Sequence, residues 1–131
     1  MFIDTTTRTS AAELMDDFSL KGEELRDTLD EISGINRLLG GNSITLKGVK
    51  NLLKRIPQTE TITIVDLGCG NGDMLRMLSE FGSHQGWDFN LIGIDANDYT
   101  VRYARELSVL YPNISYIRED IFGTTFESLE Y

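Results

Sequence analysis

The stretch Thr63-Ile64-Val65-Asp66-Leu67-Gly68-Cys69-Gly70-Asn71-Gly72-Asp73 constrains this chain more than any other. A short β-branched run ends in an acid, three glycines follow at alternate positions, and a helical pattern begins at once. A strand that turns abruptly into a helix uses glycine where φ is positive or where a ligand approaches the main chain. The new helix brings unpaired N–H groups and the positive end of its dipole to the same turn. The Asp66 carboxylate stands at the strand end beside it. The turn therefore reads as a ligand cradle, with Asp66 placed to hold a cationic group. The alternative is a tight structural turn without a ligand.

Around this turn the chain alternates strand and helix. Ile62 to Leu67 is an apolar run of the kind found in strands covered on both faces. Asp73 to Phe81 reads as a helix stopped by Gly82. Leu91 to Asp95 is a second buried strand, Tyr99 to Leu110 a second helix capped by Asn97 or Asp98, and Ile114 to Ile117 a third strand. Such alternation predicts an α/β fold with a parallel sheet and right-handed crossovers. Residues 11–56 are different: they read as all-helical. Ala11 to Phe18 forms a short helix capped by Ser10. Gly22 to Leu39 carries Leu25, Leu29, Ile32, Ile35, Leu38 and Leu39 at three- and four-residue steps and stops at Gly40-Gly41. A third helix runs from about Ile44 to Ile56, capped by Asn42 or Ser43, with Val49, Leu52, Leu53 and Ile56 on its apolar side and Pro57 beyond it. Residues 1–10 lack periodicity and read as a loose tail. The expected organisation is a tail over 1–10, a helical lid or cap over 11–56 and a ligand-binding α/β unit over 57–131.

Charge and cysteine content narrow the function. Residues 1–56 carry 9 acids and 8 bases, whereas residues 57–131 carry 12 acids and 4 bases. The second part would repel a phosphate backbone, which argues against nucleic acid as a partner. No apolar run approaches the roughly 20 residues of a membrane helix, and residues 1–10 lack the apolar centre of a signal peptide; a cytoplasmic location is the expectation. Cys69 is the single cysteine and His84 the single histidine, so no intrachain disulfide or zinc cluster is expected; a carboxylate magnesium site stays open. Cys69 has no histidine near it in sequence, and a small residue there suits close ligand packing better than nucleophilic catalysis. His84 reads as a surface loop residue. Met74 and Met77 read as core or pocket lining, Trp87 and Phe89 as cover for the start of the second strand, and Tyr99 and Tyr103 as side chains packed along a helix.

Two further acids complete the pattern. Asp95 ends the second strand, on the side where doubly wound sheets bind ligands; an acid there accepts hydrogen bonds from both hydroxyls of a ribose. The alternative is a helix cap, but Asn97 and Asp98 are better placed to cap, which leaves Asp95 for a ligand. Glu119-Asp120-Ile121-Phe122 follows the third strand, where Asp120 suits an adenine amino group and Ile121 its ring face, or where the segment is an ordinary polar loop. The spacing is G-x-G-x-G, with an acid two residues ahead, and not the G-x-G-x-x-G of the dinucleotide fingerprint.

With these motifs in order, residues 62–122 resemble the first half of a class I S-adenosylmethionine-dependent methyltransferase. Asp66-x-Gly68-x-Gly70-x-Gly72 matches that family's first motif, Gly93-Ile94-Asp95 its second and Glu119-Asp120-Ile121 its third. The resemblance implies a Rossmann-like sheet of strand order 3-2-1-4-5-7-6 and S-adenosylmethionine as cofactor. It implies the methionine end on the backbone of Gly68, Cys69, Gly70, Asn71 and Gly72 with its amino group on Asp66, ribose on Asp95 beside Ala96, and adenine on Asp120 and Ile121. Glu13-Leu14-Met15-Asp16 and Ile35-Asn36-Arg37-Leu38-Leu39-Gly40-Gly41 are similar to helical leaders of bacterial small-molecule methyltransferases, some associated with polyketide pathways. The acceptor is then a small molecule.

Three strands fall short of the seven that the resemblance implies. The chain is accordingly expected to be a truncated domain, with the cofactor half present and acceptor-contacting residues beyond Tyr131, so no catalytic residue is assigned. A first strand lacking its outer neighbour offers a bare apolar edge. Self-association through that edge, or its coverage by the N-terminal helices, is expected. The competing function is a non-catalytic cofactor-binding or interaction module.

Overall fold

A computed structural model describes residues 22–38 and 40–120. Seven elements follow one another: α1 (Glu23–Leu38), α2 (Gly41–Leu53), β1 (Thr61–Leu67), α3 (Asp73–Gln85), β2 (Asp88–Asp95), α4 (Asp98–Leu107) and β3 (Ile114–Arg118). The expected tail, the helix over Ala11 to Phe18 and Ile121-Phe122 lie outside the described residues.

The three strands form one parallel sheet in the order β1-β2-β3. This is the 3-2-1 portion of the order that the resemblance implies. The register aligns Ile64 with Leu91 and Ile114, and Asp66 with Gly93 and Tyr116. Both crossovers step the same way across the sheet, so the right-handed rule puts α3 and α4 on one face. Leu75 and Leu78 of α3, Val101 and Ala104 of α4, and Phe89, Leu91 and Tyr116 of the sheet make one core, joined by Leu53 of α2 and by Cys69. Each fully buried Leu or Val contributes roughly 1.5–3 kcal/mol relative to exposure.

The strands are not covered on both faces by the described elements. Thr61, Thr63 and Leu67 of β1, Asn90 of β2 and Ser115 of β3 are exposed, because α3 and α4 share one face. Among the described residues β1 pairs with β2 alone.

Helix boundaries shift where glycine has another use. The expected stop at Gly82 does not occur. Helix α3 runs on to Gln85 and closes at Gly86, whose φ is +76°. Gly82 is small because the ring of Phe89 lies against it: a Cβ there would come within 2.5 Å of Phe89 Cδ2. His84 accordingly belongs to the last turn of α3, exposed but helical, and not to a loop. Helix α2 begins at Gly41, ahead of the expected Ile44, with Gly40 at φ +74° as its N-cap and no side-chain cap. Asn42 is not a cap; its Nδ2 donates to Asp73 Oδ2 at 3.0 Å and ties α2 to the start of α3. Leu46, Val49 and Leu53 face the core, while Leu52 is 67% exposed, so it does not belong to the apolar side. Helix α4 closes at Leu107, short of Leu110, and Asn97 caps its start by accepting from the Thr100 N–H at 2.9 Å.

Helix α1 docks on α4. Leu25 and Leu29 are buried with Tyr103, and Tyr99 packs against them. Arg26 lies over both rings, 4.6 Å from the Tyr103 centroid and 5.7 Å from that of Tyr99. Its Nε donates to Tyr99 Oη at 3.1 Å and its Nη2 to Glu106 Oε2 at 2.9 Å. The Tyr103 hydroxyl donates to the Asp30 carboxylate at 3.0 Å. The two tyrosines therefore pack along a helix, as expected from sequence, and also anchor the preceding helix through cation–π contacts.

Candidate functional site

The site is built at the carboxyl ends of β1 and β2. Strand β1 delivers Asp66 and runs straight into the glycine turn, where Gly68, Gly70 and Gly72 all have positive φ (+73°, +55° and +81°). Gly72 is the N-cap of α3, so the turn and the helix start are one unit. Strand β2 brings Asp95 alongside.

Four amides of the turn are already paired. The Gly68 and Cys69 N–H groups donate to Ile94 O at 2.7 and 3.0 Å, and that of Gly72 donates to Cys69 O at 3.0 Å. The Gly70 N–H donates to Asp95 Oδ2 at 3.2 Å. The turn therefore presents a shaped main-chain surface more than a row of donors. Asp95 is not left wholly to a ligand either. Besides Gly70, it accepts from the Asn97 N–H on Oδ1 at 3.0 Å. A carboxylate has about four acceptor sites, so two such bonds leave capacity for ribose hydroxyls while fixing the orientation of the group.

Electrostatics single out Asp66. Burial pushes its carboxyl up to about 6, and the negative charge of Asp95 adds to the shift. Asp95 is also raised by burial, partly offset by the backbone N–H groups that face it, that of Asn97 first. Among the described residues no hydrogen-bond donor or cationic side chain pairs with Asp66. Two neighbouring acids held without a cation, beside a positive-φ turn, suit a ligand that carries positive charge. Cys69 is 8% exposed, and its thiol is raised by burial first and by Asp95 and Asp66 second. Burial of this kind keeps a thiol protonated.

Asp120 is exposed and is the last described residue, two positions past the end of β3. The Glu119 N–H donates to Asp95 O at 3.0 Å, and Arg118 Nε donates to Ala96 O at 3.2 Å. Both bonds hold the segment after β3 against the end of β2. The structure thus brings Asp66, the residues from Gly68 to Gly72, Asp95 and Ala96 together, with Asp120 in the segment just after β3. Ile121 falls outside the described residues.

Sequence reading misses what lies around the turn. Leu29 of α1 reaches it: a Cβ on Gly70 would sit 3.6 Å from Leu29 Cδ2. Tyr116 lies beneath it: a Cβ on Gly72 would sit 1.9 Å from Tyr116 Oη, and one on Gly93 would sit 2.6 Å from Tyr116 Cδ1 and 2.8 Å from Cys69 Sγ. Two glycines of two motifs are thus small for the same ring. Only the glycines themselves hint at this in the sequence; which side chain fills the space is a tertiary fact.

Comparison with known proteins agrees with this geometry. A family model described as a methyltransferase domain matches residues 64–131. A viral protein named as a methyltransferase, 235L of Invertebrate iridescent virus 6, is 33% identical over 72 residues, which is 55% of this chain and 24% of the viral one. Among solved structures, the DszA carbon methyltransferase superposes with a TM-score of 0.59 at 19% identity, over 76% of this chain and 28% of that one. The plantazolicin methyltransferase BpumL, solved in complex with SAH, gives 0.57 at 20% identity over 92% of this chain and 46% of its own. At these identities the structural likeness speaks for the fold. The chain spans about a quarter of the viral relative's length and less than half of either structure. A parallel β1-β2-β3 sheet, a positive-φ glycine turn between two acids and a family model covering more than half of the residues lead to one conclusion: the chain belongs to the methyltransferase domain family.

Proposed function

We propose that the crevice beyond β1 and β2 binds S-adenosylmethionine and that the protein transfers its methyl group to a small-molecule acceptor. The observation that carries this reading is the half-buried Asp66 carboxylate, which has no partner among the described residues and is repelled by Asp95. A ligand with an ammonium and a sulfonium relieves that repulsion. The ribose goes to Asp95 beside Ala96, the methionine end lies along the surface from Gly68 to Gly72, and the adenine reaches Asp120 and Ile121. The sulfonium is already an activated donor, so this part of the protein mainly positions it for in-line displacement. The SAH bound in the BpumL structure lends support by likeness of fold.

Residues 57–131 are then the cofactor unit, and the helices within 11–56 are its lid. Leu29 meets the glycine turn, and the Arg26–Tyr99–Tyr103 contacts fasten α1 over it. Arg26→Met is expected to loosen this fastening and to raise both association and release rates of S-adenosylhomocysteine about three- to tenfold, with a smaller change in affinity. Stopped-flow mixing reads both rates; unchanged rates would remove the lid role. The side of β1 that has no strand partner among the described residues suits a further strand, from elsewhere in a longer protein or from a second copy.

Titration calorimetry tests the cofactor. S-adenosylhomocysteine is expected to bind with micromolar affinity, whereas NADH is not; the reverse would return the site to dinucleotide chemistry. A second reading is a binding module without turnover. Binding without methyl transfer to any acceptor would support it.

A further inference from the structure

The glycine turn rests on a polar brace that its own motif does not contain. Tyr116 of β3 is 5% exposed and Ser108, just past α4, is 6% exposed. Their hydroxyl oxygens lie 2.7 Å apart. Arg76, in the first turns of α3, donates from Nη1 to Ser108 Oγ at 3.1 Å and to the main-chain oxygen of Asn71 at 2.6 Å. Asn71 is buried, and its Oδ1 accepts from the Asp73 N–H at 3.0 Å. Arg105 Nη2 donates to Tyr116 O at 2.8 Å and fixes the strand below. One connected path thus runs from β3 through the end of α4 to the centre of the turn.

Two physical points mark this arrangement. A cation near the amino end of a helix is opposed by the helix dipole, and no carboxylate among the described residues pairs with Arg76 in compensation. Its donors go instead to a carbonyl of the turn and to the hydroxyl that Tyr116 holds. A turn with three glycines also loses more conformational entropy on ordering than any other backbone, so a fixed shape before ligand arrives needs an external tie.

We propose that Arg76 and Tyr116 are positioning residues, which lock the Asn71 carbonyl and so preorganise the turn for its ligand. Preorganisation removes the ordering penalty from binding. The effect on ligand affinity rests on the cofactor reading above; the effect on the turn itself does not.

Amide hydrogen exchange on the full chain without ligand, with S-adenosylhomocysteine calorimetry beside it, separates the two. In Arg76→Met, exchange at residues 71–74 is expected to rise about tenfold or more while the central amides of β2 keep their protection. S-adenosylhomocysteine affinity is expected to fall about tenfold, with restored preorganisation in Arg76→Lys bringing back part of both effects. Tyr116→Phe, which keeps the ring and deletes only the hydroxyl, is expected to follow Arg76→Met more weakly. Unchanged exchange at the turn, or a uniform rise across the turn and β2 in both variants, would overturn the proposal. Absence of S-adenosylhomocysteine binding by the unaltered chain would overturn the cofactor reading instead, and the exchange result would still decide the brace.

Discussion

Gly72→Ala is expected to destabilise the protein by about 3 kcal/mol or more, whereas Gly68→Ala costs only about 1 kcal/mol. Both positions have positive φ, +81° and +73°, so both alanines bear backbone strain. The difference is what the new methyl meets. At Gly68 nothing lies within 4 Å, but at Gly72 the Cβ falls 1.9 Å from Tyr116 Oη and 2.8 Å from Tyr116 Cζ. Tyr116 cannot retreat, because its hydroxyl is held by Ser108 and its ring also lies against Gly93. The clash must be relieved by lifting the turn or by breaking the Tyr116–Ser108–Arg76 path. Thermal unfolding reads the contrast as a Tm loss near 10 °C or more for Gly72→Ala against a few degrees for Gly68→Ala, given about 3 °C per kcal/mol at this size. Equal losses would mean that positive φ alone, and not Tyr116, sets the need for glycine at this cap.

The second large effect is on pH dependence, and it has opposite signs for stability and for binding. Burial and the neighbouring Asp95 raise Asp66 from its ordinary 3.8 to about 6 in the folded chain. A carboxyl raised on folding stabilises the protonated native state. Its favourable contribution is complete below pH 3.8 and is lost as pH rises through about 6. The ligand-free protein therefore carries an ionised, unrelieved Asp66 at pH 7. Asp66→Asn is expected to stabilise the ligand-free protein at pH 7 by roughly 1–3 kcal/mol and to give no gain near pH 4. Binding of a ligand through its ammonium group runs the other way, because it needs the carboxylate. S-adenosylhomocysteine affinity is expected to be flat above pH 7 and about tenfold weaker at pH 5. In Asp66→Asn the overall affinity drops and most of this dependence disappears, leaving the contribution of Asp95, which burial also raises. A wild-type affinity that stays flat from pH 5 to 8 would separate Asp66 from the ligand's positive charge.

These effects show how legibility divides along the chain. The order of strands and helices and the position of the turn follow from local pattern: an apolar run, an acid, alternating glycines, then helical spacing. The cap of α4 could be narrowed to Asn97 or Asp98, because a cap is settled within three residues, and Asn97 fills it. Gly82 could not be read correctly, because its smallness serves Phe89 across the interface and not the end of α3. Asn42 likewise has capping chemistry but bonds to Asp73, 31 positions away. The face shared by α3 and α4 explains why β1, read as an apolar run over Ile62 to Leu67, is only half-buried among the described residues. At the site, the glycines and acids are visible in sequence, but the partners that shape them are not. Asp95 gives two acceptor sites to backbone N–H groups, and Arg76 reaches a hydroxyl 32 positions on. No periodicity encodes a pairing of that kind.

The ammonium of a nucleoside amino acid is expected to lie against Asp66, with the ligand across the turn between Asp66 and Asp95. Amide chemical shifts of the ¹⁵N-labelled chain, recorded as S-adenosylhomocysteine is added, test this placement most directly. The expected outcome is saturable movement centred on residues 66–72, 95–97 and 119–121, with the start of β2 and the amino end of β3 unmoved. Saturable movement confined to another part of the molecule, or none while the amides of the turn report a folded structure, would contradict the account.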